Sequence, residues 1–128
     1  MNQSPRHPDL LRRFVVTPYL FTNGSGMSRL HIESNDLEIA LSLRRSPIVQ
    51  RWGIRTGGLL CKVIRDFTGP VDRSKAFLFS DGELRVLHMG RGTVLMYDRE
   101  RSELLGFVSR NVKAHELTSS LIPPVLGL

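Results

Sequence analysis

The chain has 128 residues, which fits a single domain that buries about two thirds of the surface of its unfolded form. Its net charge of +6 arises from 15 Arg and 3 Lys against 12 acids, so the basic character is mostly arginine. A lone cysteine excludes an intrachain disulfide framework, and the absence of a long apolar run predicts a cytoplasmic protein without a signal peptide or membrane span.

The amino-terminal segment is predicted to be an arm. Residues 1–13 are basic and include Pro5 and Pro8, which lack the backbone donors that a helix uses, so we expect this arm to be flexible. The remaining residues, 14–128, are expected to form a single α+β domain.

Two strands are predicted at the start of this domain. Residues 14–22 are rich in β-branched and aromatic side chains, although Pro18 makes an edge position or a split strand the better prediction. A turn over 23–26 leads to residues 28–33, where apolar and polar side chains alternate as in a half-buried strand.

Residues 34–45 fit two structures. Asn35, followed three residues later by Glu38, has the spacing of a capping box and favours a helix near 35–46. Apolar residues at every second position from Leu37 to Leu43 fit a strand instead. We favour the helix, because Leu, Ala, Glu and Arg are good helix formers and the segment has no valine or threonine.

The middle of the chain is predicted to contain one strand and two irregular segments. Pro47 is expected to end the preceding element, and residues 48–53 form a short segment with the lone tryptophan. Residues 59–67 are predicted to form a strand, and the Gly- and Pro-containing residues 68–75 to form a loop.

A β-meander is predicted from 76 to 108, as the core of a mainly antiparallel sheet. Asp81 and Gly82 are typical of a type I′ hairpin turn, and Gly90 to Gly92 fit a bulged hairpin loop. Residues 99–102 are a polar link typical of a third hairpin. The meander thus predicts four strands in a tight register.

Both faces of the meander carry large apolar side chains, which a sheet with one wet face would not need. We therefore predict that a second copy or a larger protein covers one face. The predicted partner surface comprises Leu87, Met89, Leu95, Tyr97, Leu105 and Phe107.

A C-terminal helix is predicted near 111–122. Its apolar residues recur at near-helical spacing, and Pro123 and Pro124 are expected to stop it.

No catalytic residue, metal ligand or cofactor is predicted, because the motifs for these functions are missing. The chain has no Walker A phosphate loop and no nucleophile elbow. Its one cysteine and scattered histidines do not have zinc-ligand spacing, and only a site assembled by the fold from His31 and His88 would bind metal. Cys61 is predicted to be a buried small apolar residue.

One basic cluster is a candidate anion-binding site. Residues 44–55 contain four arginines and no acid, and arginine binds phosphate through its planar fork. Charge alone specifies no partner, so a solvated helix end is the competing interpretation. The candidate residues are Arg44, Arg45, Arg51, Arg55 and Trp52.

Two functional hypotheses follow, and an enzyme ranks below both. The first is a non-enzymatic binding or assembly domain that associates with itself or docks onto a larger protein. The alternative is binding of nucleic acid or another anionic ligand through the arginine cluster.

Overall fold

The computed structural model describes residues 19–25, 28–66, 76–89 and 93–128. The predicted arm at 1–13 lies outside these ranges, as do the start of the first predicted strand, the loop at 68–75 and the turn at 90–92.

Seven strands and three helical regions form an α+β fold within the described ranges, as predicted. The strands are β1 (Tyr19–Ser25), β2 (Ser28–Ser34), β3 (Leu59–Asp66), β4 (Ala76–Asp81), β5 (Leu84–Met89), β6 (Thr93–Asp98) and β7 (Glu103–Ser109). The helices are α1 (Leu37–Arg45), α2 (Pro47–Thr56), α3 (Ala114–Glu116), a π-helical segment (Leu117–Leu121) and α4 (Ile122–Leu126).

The described strands make one mixed sheet in the order β1-β2-β3-β7-β6-β5-β4. β4 to β7 are successive antiparallel neighbours, which confirms the predicted meander. β1 and β2 are also antiparallel, whereas β3 is parallel to both β2 and β7. The sheet is therefore mostly antiparallel, with a parallel centre that was not predicted and that is buried on both faces.

The turn between β4 and β5 differs from the predicted type I′ turn. Asp81 pairs with Leu84, so the two central residues are Gly82 and Glu83 rather than Asp81 and Gly82. Only the first of them has positive φ, 62° at Gly82, as a type II′ turn requires.

The first helix, α1, confirms the prediction near 35–46, but its cap is Asp36 rather than Asn35. The Asp36 side chain accepts a hydrogen bond from the backbone N–H of Glu38 at 2.9 Å. The Asn35 amide instead exchanges hydrogen bonds with the backbone carbonyl and N–H of Arg65 on β3, at 2.8 and 2.7 Å. The buried residues of α1 have helical spacing and are Ile39, Ala40 and Leu43.

The second helix, α2, was not predicted, because Pro47 was expected only to end what precedes it. Pro47 lies in the first turn of α2, where a missing N–H breaks no helical bond. Ser46 serves both helices: its N–H donates to the Leu43 carbonyl, and its hydroxyl accepts from the Val49 N–H at 3.2 Å. One residue thus ends α1 and caps α2.

The C-terminal helical region continues past the point where Pro123 and Pro124 were expected to stop it. Residues 114–126 are helical throughout, and both prolines lie in the first turn of α4. In an α-helix a proline ring clashes with the carbonyl group four residues earlier. The turn before these prolines is π-helical, so its backbone hydrogen bonds span five residues and the turn is wider. The wider turn explains why the helix is not broken.

The described helices pack on one face of the sheet, and the main core lies between them and the strands. On the other face lies a smaller cluster of buried residues, which comprises Val86, Val94, Met96 and Leu105. No helix in the described part of the chain is long and apolar enough to cross a membrane.

Candidate functional site

The predicted partner surface is divided between the two faces of the sheet. Tyr97 pairs with Leu104, so Leu105 and Phe107 point away from the face that carries Leu95 and Tyr97. Leu87, Met89, Leu95 and Tyr97 belong to the main core beneath the helices, and all four are buried. Leu105 is buried in the smaller cluster, against which the half-buried Phe107 packs.

Large exposed apolar side chains lie instead on β4. Phe77, Leu78 and Phe79 are consecutive, and they are 63%, 44% and 41% exposed. β4 is the last strand of the sheet order and pairs only with β5 among the described strands. The sequence places these residues in the meander but does not reveal that this strand is an edge.

The β4–β5 hairpin determines which backbone groups of β4 are unpaired. Because Asp81 and Leu84 flank a two-residue turn, their backbone groups bond to each other. Hydrogen bonding alternates along a strand, so Phe77 and Phe79 also bond toward β5. The N–H and carbonyl groups of Ala76, Leu78 and Ser80 therefore point to the free side.

The first five residues of the β4 edge have none of the protective features common at sheet edges. Exposed edges are usually shielded by lysine, proline, a bulge or an inward-pointing charge. From Ala76 to Ser80 the strand has no charged residue and no proline, and all six residues of β4, Ala76 to Asp81, pair regularly with β5. The edge therefore presents a regular, apolar template for another strand.

The four candidate arginines are exposed on α1 and α2. Arg44 and Arg45 lie in the last turn of α1, and Arg51 and Arg55 lie on α2. Among the described residues, no carboxylate forms an ion pair with any of them. The Gln50 side chain donates a hydrogen bond to the Arg44 carbonyl at 2.7 Å. This bond joins α1 and α2 beside the arginines.

Two of these guanidinium groups lie over aromatic rings. The Arg44 guanidinium is 5.0 Å from the centre of the Phe21 ring, and that of Arg55 is 5.1 Å from the Trp52 ring. Trp52 also packs edge-on against Tyr97, with ring centres 5.9 Å apart. Its ring is therefore part of the helix–sheet contact rather than an open platform for a nucleic-acid base.

The arginines also have a structural role. Arg44, Arg45 and Arg55 lie in the last turns of their helices, where a positive charge interacts favourably with the helix dipole. Arg51 is outside those turns, so this effect does not explain its position.

The other candidates from the sequence do not assemble into a reactive site. Cys61 is fully buried, which raises the pKa of its thiol to about 12 and keeps it neutral near pH 7. His31 and His88 are on β2 and β5, separated by three strands and thus by at least about 19 Å. No group of three metal-ligating side chains occurs in the ranges that the structure describes.

A groove between α1 and the C-terminal helical region was not predicted. It has a volume of about 540 Å³ and includes Ser42, Arg45, His115 and Thr118 in its lining. Its hydroxyl groups are used internally: Ser42 Oγ lies 3.0 Å from Thr118 Oγ1 and donates to the Ala114 carbonyl. The contacts of the two hydroxyls therefore join the helices.

No protein family, curated protein or solved structure matches this chain. The β4 edge and the exposed arginines are the features of the described chain that bear on its function.

Proposed function

We propose that this protein is a non-enzymatic assembly domain that binds a further protein chain by adding a strand to β4. The observation that carries the proposal is the run of three exposed apolar side chains, Phe77 to Phe79, on an edge strand. The predicted assembly role is kept, but the contact is assigned to the edge of the sheet because both faces are largely buried.

Strand addition uses both backbone and side chains of an edge. The unpaired N–H and carbonyl groups of β4 supply main-chain hydrogen bonds, and the exposed side chains supply apolar contact and specificity. Large apolar groups left in water on an unprotected edge favour association, because pairing removes their surface from water. This chemistry selects an extended segment of protein as the partner.

The first test replaces Phe77 with lysine. We expect the wild-type protein to show a mass above 14.5 kDa in light scattering coupled to gel filtration, and Phe77→Lys to have the monomer mass. A lysine on the edge introduces a charge that must be desolvated when another strand pairs. Phe77 is 63% exposed, so the substitution should leave the fold intact, as circular dichroism would verify.

The matched control is Ile54→Lys on α2. Ile54 is 67% exposed and the chemical change is comparable, yet the residue is on a helix away from β4. This variant should retain the wild-type mass. A wild-type protein that stays monomeric at every concentration would count against association between copies, and equal dissociation by both variants would count against β4 as the contact.

A second candidate function is binding of nucleic acid through Arg44, Arg45, Arg51 and Arg55. It is supported by four exposed guanidinium groups without a described carboxylate partner. Guanidinium groups bind phosphate oxygens through two hydrogen bonds, and such binding releases counterions.

Fluorescence anisotropy with a labelled DNA duplex tests this second function. The double variant Arg51→Glu/Arg55→Glu should bind at least about ten-fold more weakly, and its salt-dependence slope should fall by about two. Arg99→Glu/Arg101→Glu makes the same charge change in the exposed β6–β7 turn and serves as the control. Equal weakening by both pairs would indicate an effect of net charge and refute a site on α2.

We also propose a cytoplasmic location. The support is the lone cysteine, which is buried as a neutral thiol and so requires no oxidising compartment.

A further inference from the structure

We infer that the chain bound at β4 is a second copy of this protein, paired antiparallel about a two-fold axis that passes beside Leu78. This inference rests on the proposed function of β4 and adds the identity of the partner and the register of the contact. Its support is the hydrogen-bonding direction, the side-chain pattern and the charge distribution of the strand itself.

The backbone of β4 fits an identical antiparallel strand in this register. The outward-facing residues are Ala76, Leu78 and Ser80, spaced evenly around Leu78. A two-fold axis there places Leu78 opposite Leu78 of the partner subunit, and Ala76 opposite the partner subunit's Ser80. All outward N–H and carbonyl groups then find partners, which makes about six hydrogen bonds between the subunits.

The side chains in this register are complementary. Phe77 lies opposite Phe79 of the partner subunit, and the symmetry repeats this aromatic pair on the other side of the axis. On the opposite face Leu78 contacts the partner subunit's Leu78. Aromatic cross-strand pairs stabilise sheets, and each pair here would remove two exposed rings from water.

The charge distribution favours an antiparallel arrangement over a parallel one. Asp81, at the end of β4, is the only charged residue of the strand. Antiparallel pairing about Leu78 puts the two Asp81 carboxylates at opposite ends of the contact, about 20 Å apart along the strands. A parallel pair would bring them side by side, and that repulsion is unfavourable.

The symmetry also makes the assembly closed. The described sheet of each subunit has one β4 edge. Pairing the two β4 edges joins two seven-stranded sheets into one and leaves no β4 edge exposed for a third subunit. Pairing of β4 with the β1 edge of another copy would be heterologous and would continue indefinitely. The two arrangements predict different masses and different cross-links.

Cysteine cross-linking tests the register. Leu78→Cys is expected to form a disulfide-linked dimer on mild oxidation, because opposed residues of this type have Cα atoms about 5.5 Å apart. Phe77→Cys alone and Phe79→Cys alone should each give little covalent dimer. In this register each cysteine is a diagonal neighbour of the same cysteine in the partner subunit, roughly 7–8 Å away, which is too far for a disulfide. Mixing these two variants should give about ten-fold more covalent dimer than either alone.

The natural thiol does not interfere, because Cys61 is buried and neutral. Ile54→Cys, at an exposed position on α2, measures cross-linking by random collision. Non-reducing gel electrophoresis and mass spectrometry give the yields, and light scattering of each reduced variant verifies that it still associates.

The possible results distinguish a failure of the two-fold pairing from a failure of assembly through β4. Cross-linking of Phe77→Cys alone at the level of the mixture would overturn the register, and so would a Leu78→Cys yield no higher than that of Ile54→Cys. If Phe77→Lys still abolishes association in either case, assembly through β4 stands and only the two-fold pairing fails. Masses that increase beyond the dimer with concentration would indicate β4–β1 pairing instead.

Discussion

Replacing Arg65 with alanine is expected to lower the free energy of unfolding by about 3–5 kcal/mol, as measured by urea denaturation. Arg65 is only 6% exposed, and its Nε donates to the Asp36 carboxylate. Its Nη1 is within 3.0, 3.2 and 2.6 Å of the backbone carbonyl oxygens of Ser109, Arg110 and Val112. Alanine would leave these buried acceptors and a largely buried carboxylate without their donor, which is costly.

Two further variants identify the cause of this loss. Arg65→Lys keeps the charge but loses the planar fork, so it should recover only part of the stability. Arg99→Ala removes a guanidinium that pairs with Glu83 at 3.4 Å where both side chains are 57% exposed. That variant should cost at most about 1 kcal/mol, and equal losses for Arg65→Ala and Arg99→Ala would contradict the assigned role.

Replacing Gly106 with alanine should destabilise the protein by about 1–3 kcal/mol. Gly106 is on β7 opposite Leu95, and a Cβ there would lie 2.4 Å from Leu95 Cδ2 and 3.0 Å from the Val94 carbonyl oxygen. Leu95 is fully buried, so its side chain cannot swing into solvent. The strain must therefore be relieved by moving the strands or the helices above them.

Gly53→Ala is the matched control for Gly106→Ala. In the interior of α2 a new Cβ has its nearest neighbour at 3.8 Å, an ordinary contact, and alanine is the better helix former. This variant should gain up to about 1 kcal/mol. The clash with Leu95 also predicts that Gly106→Ala lowers the free energy of unfolding by less when Leu95 is already replaced by alanine. Equal losses in the two backgrounds would exclude this clash as the cause.

The local signals in the sequence were sufficient for most of the meander and for α1. Strand alternation and turn residues place β4 to β7 close to their observed positions, because hairpin pairing is determined by contacts near in sequence. Helix propensity correctly predicts the helix near 35–46 over the competing strand. Burial of Ile39, Ala40 and Leu43 against the sheet supports that conformation.

Proline was the main source of error in secondary structure. The sequence predicts an end at both Pro47 and Pro123. Pro47 instead lies in the first turn of α2, and Pro123 lies within a helical region that continues from 114 to 126. A proline signals a break in the hydrogen-bond ladder, and it does not specify whether a helix stops or starts there. Ser46 just before Pro47 is the signal that could have identified α2, because serine is a favoured N-cap.

The candidate sites depended on contacts far apart in the sequence. The arginine cluster was found directly, since charge and spacing are local properties, and the structure places all four guanidinium groups on exposed helix surfaces. The six predicted partner residues have the apolar character of an interface and equally that of a core. Composition cannot distinguish the two until the covering helices are known.

The sequence by itself determined the α+β class, the four-stranded meander and the apolar, uncharged character of residues 76–80. Only the tertiary structure decided that this strand is an edge. β3 enters the sheet between β2 and β7 through a helical crossover, so the meander extends outward and β4 has no described neighbour beyond β5. Strand order depends on long-range packing, and no local pattern in residues 76–80 records it.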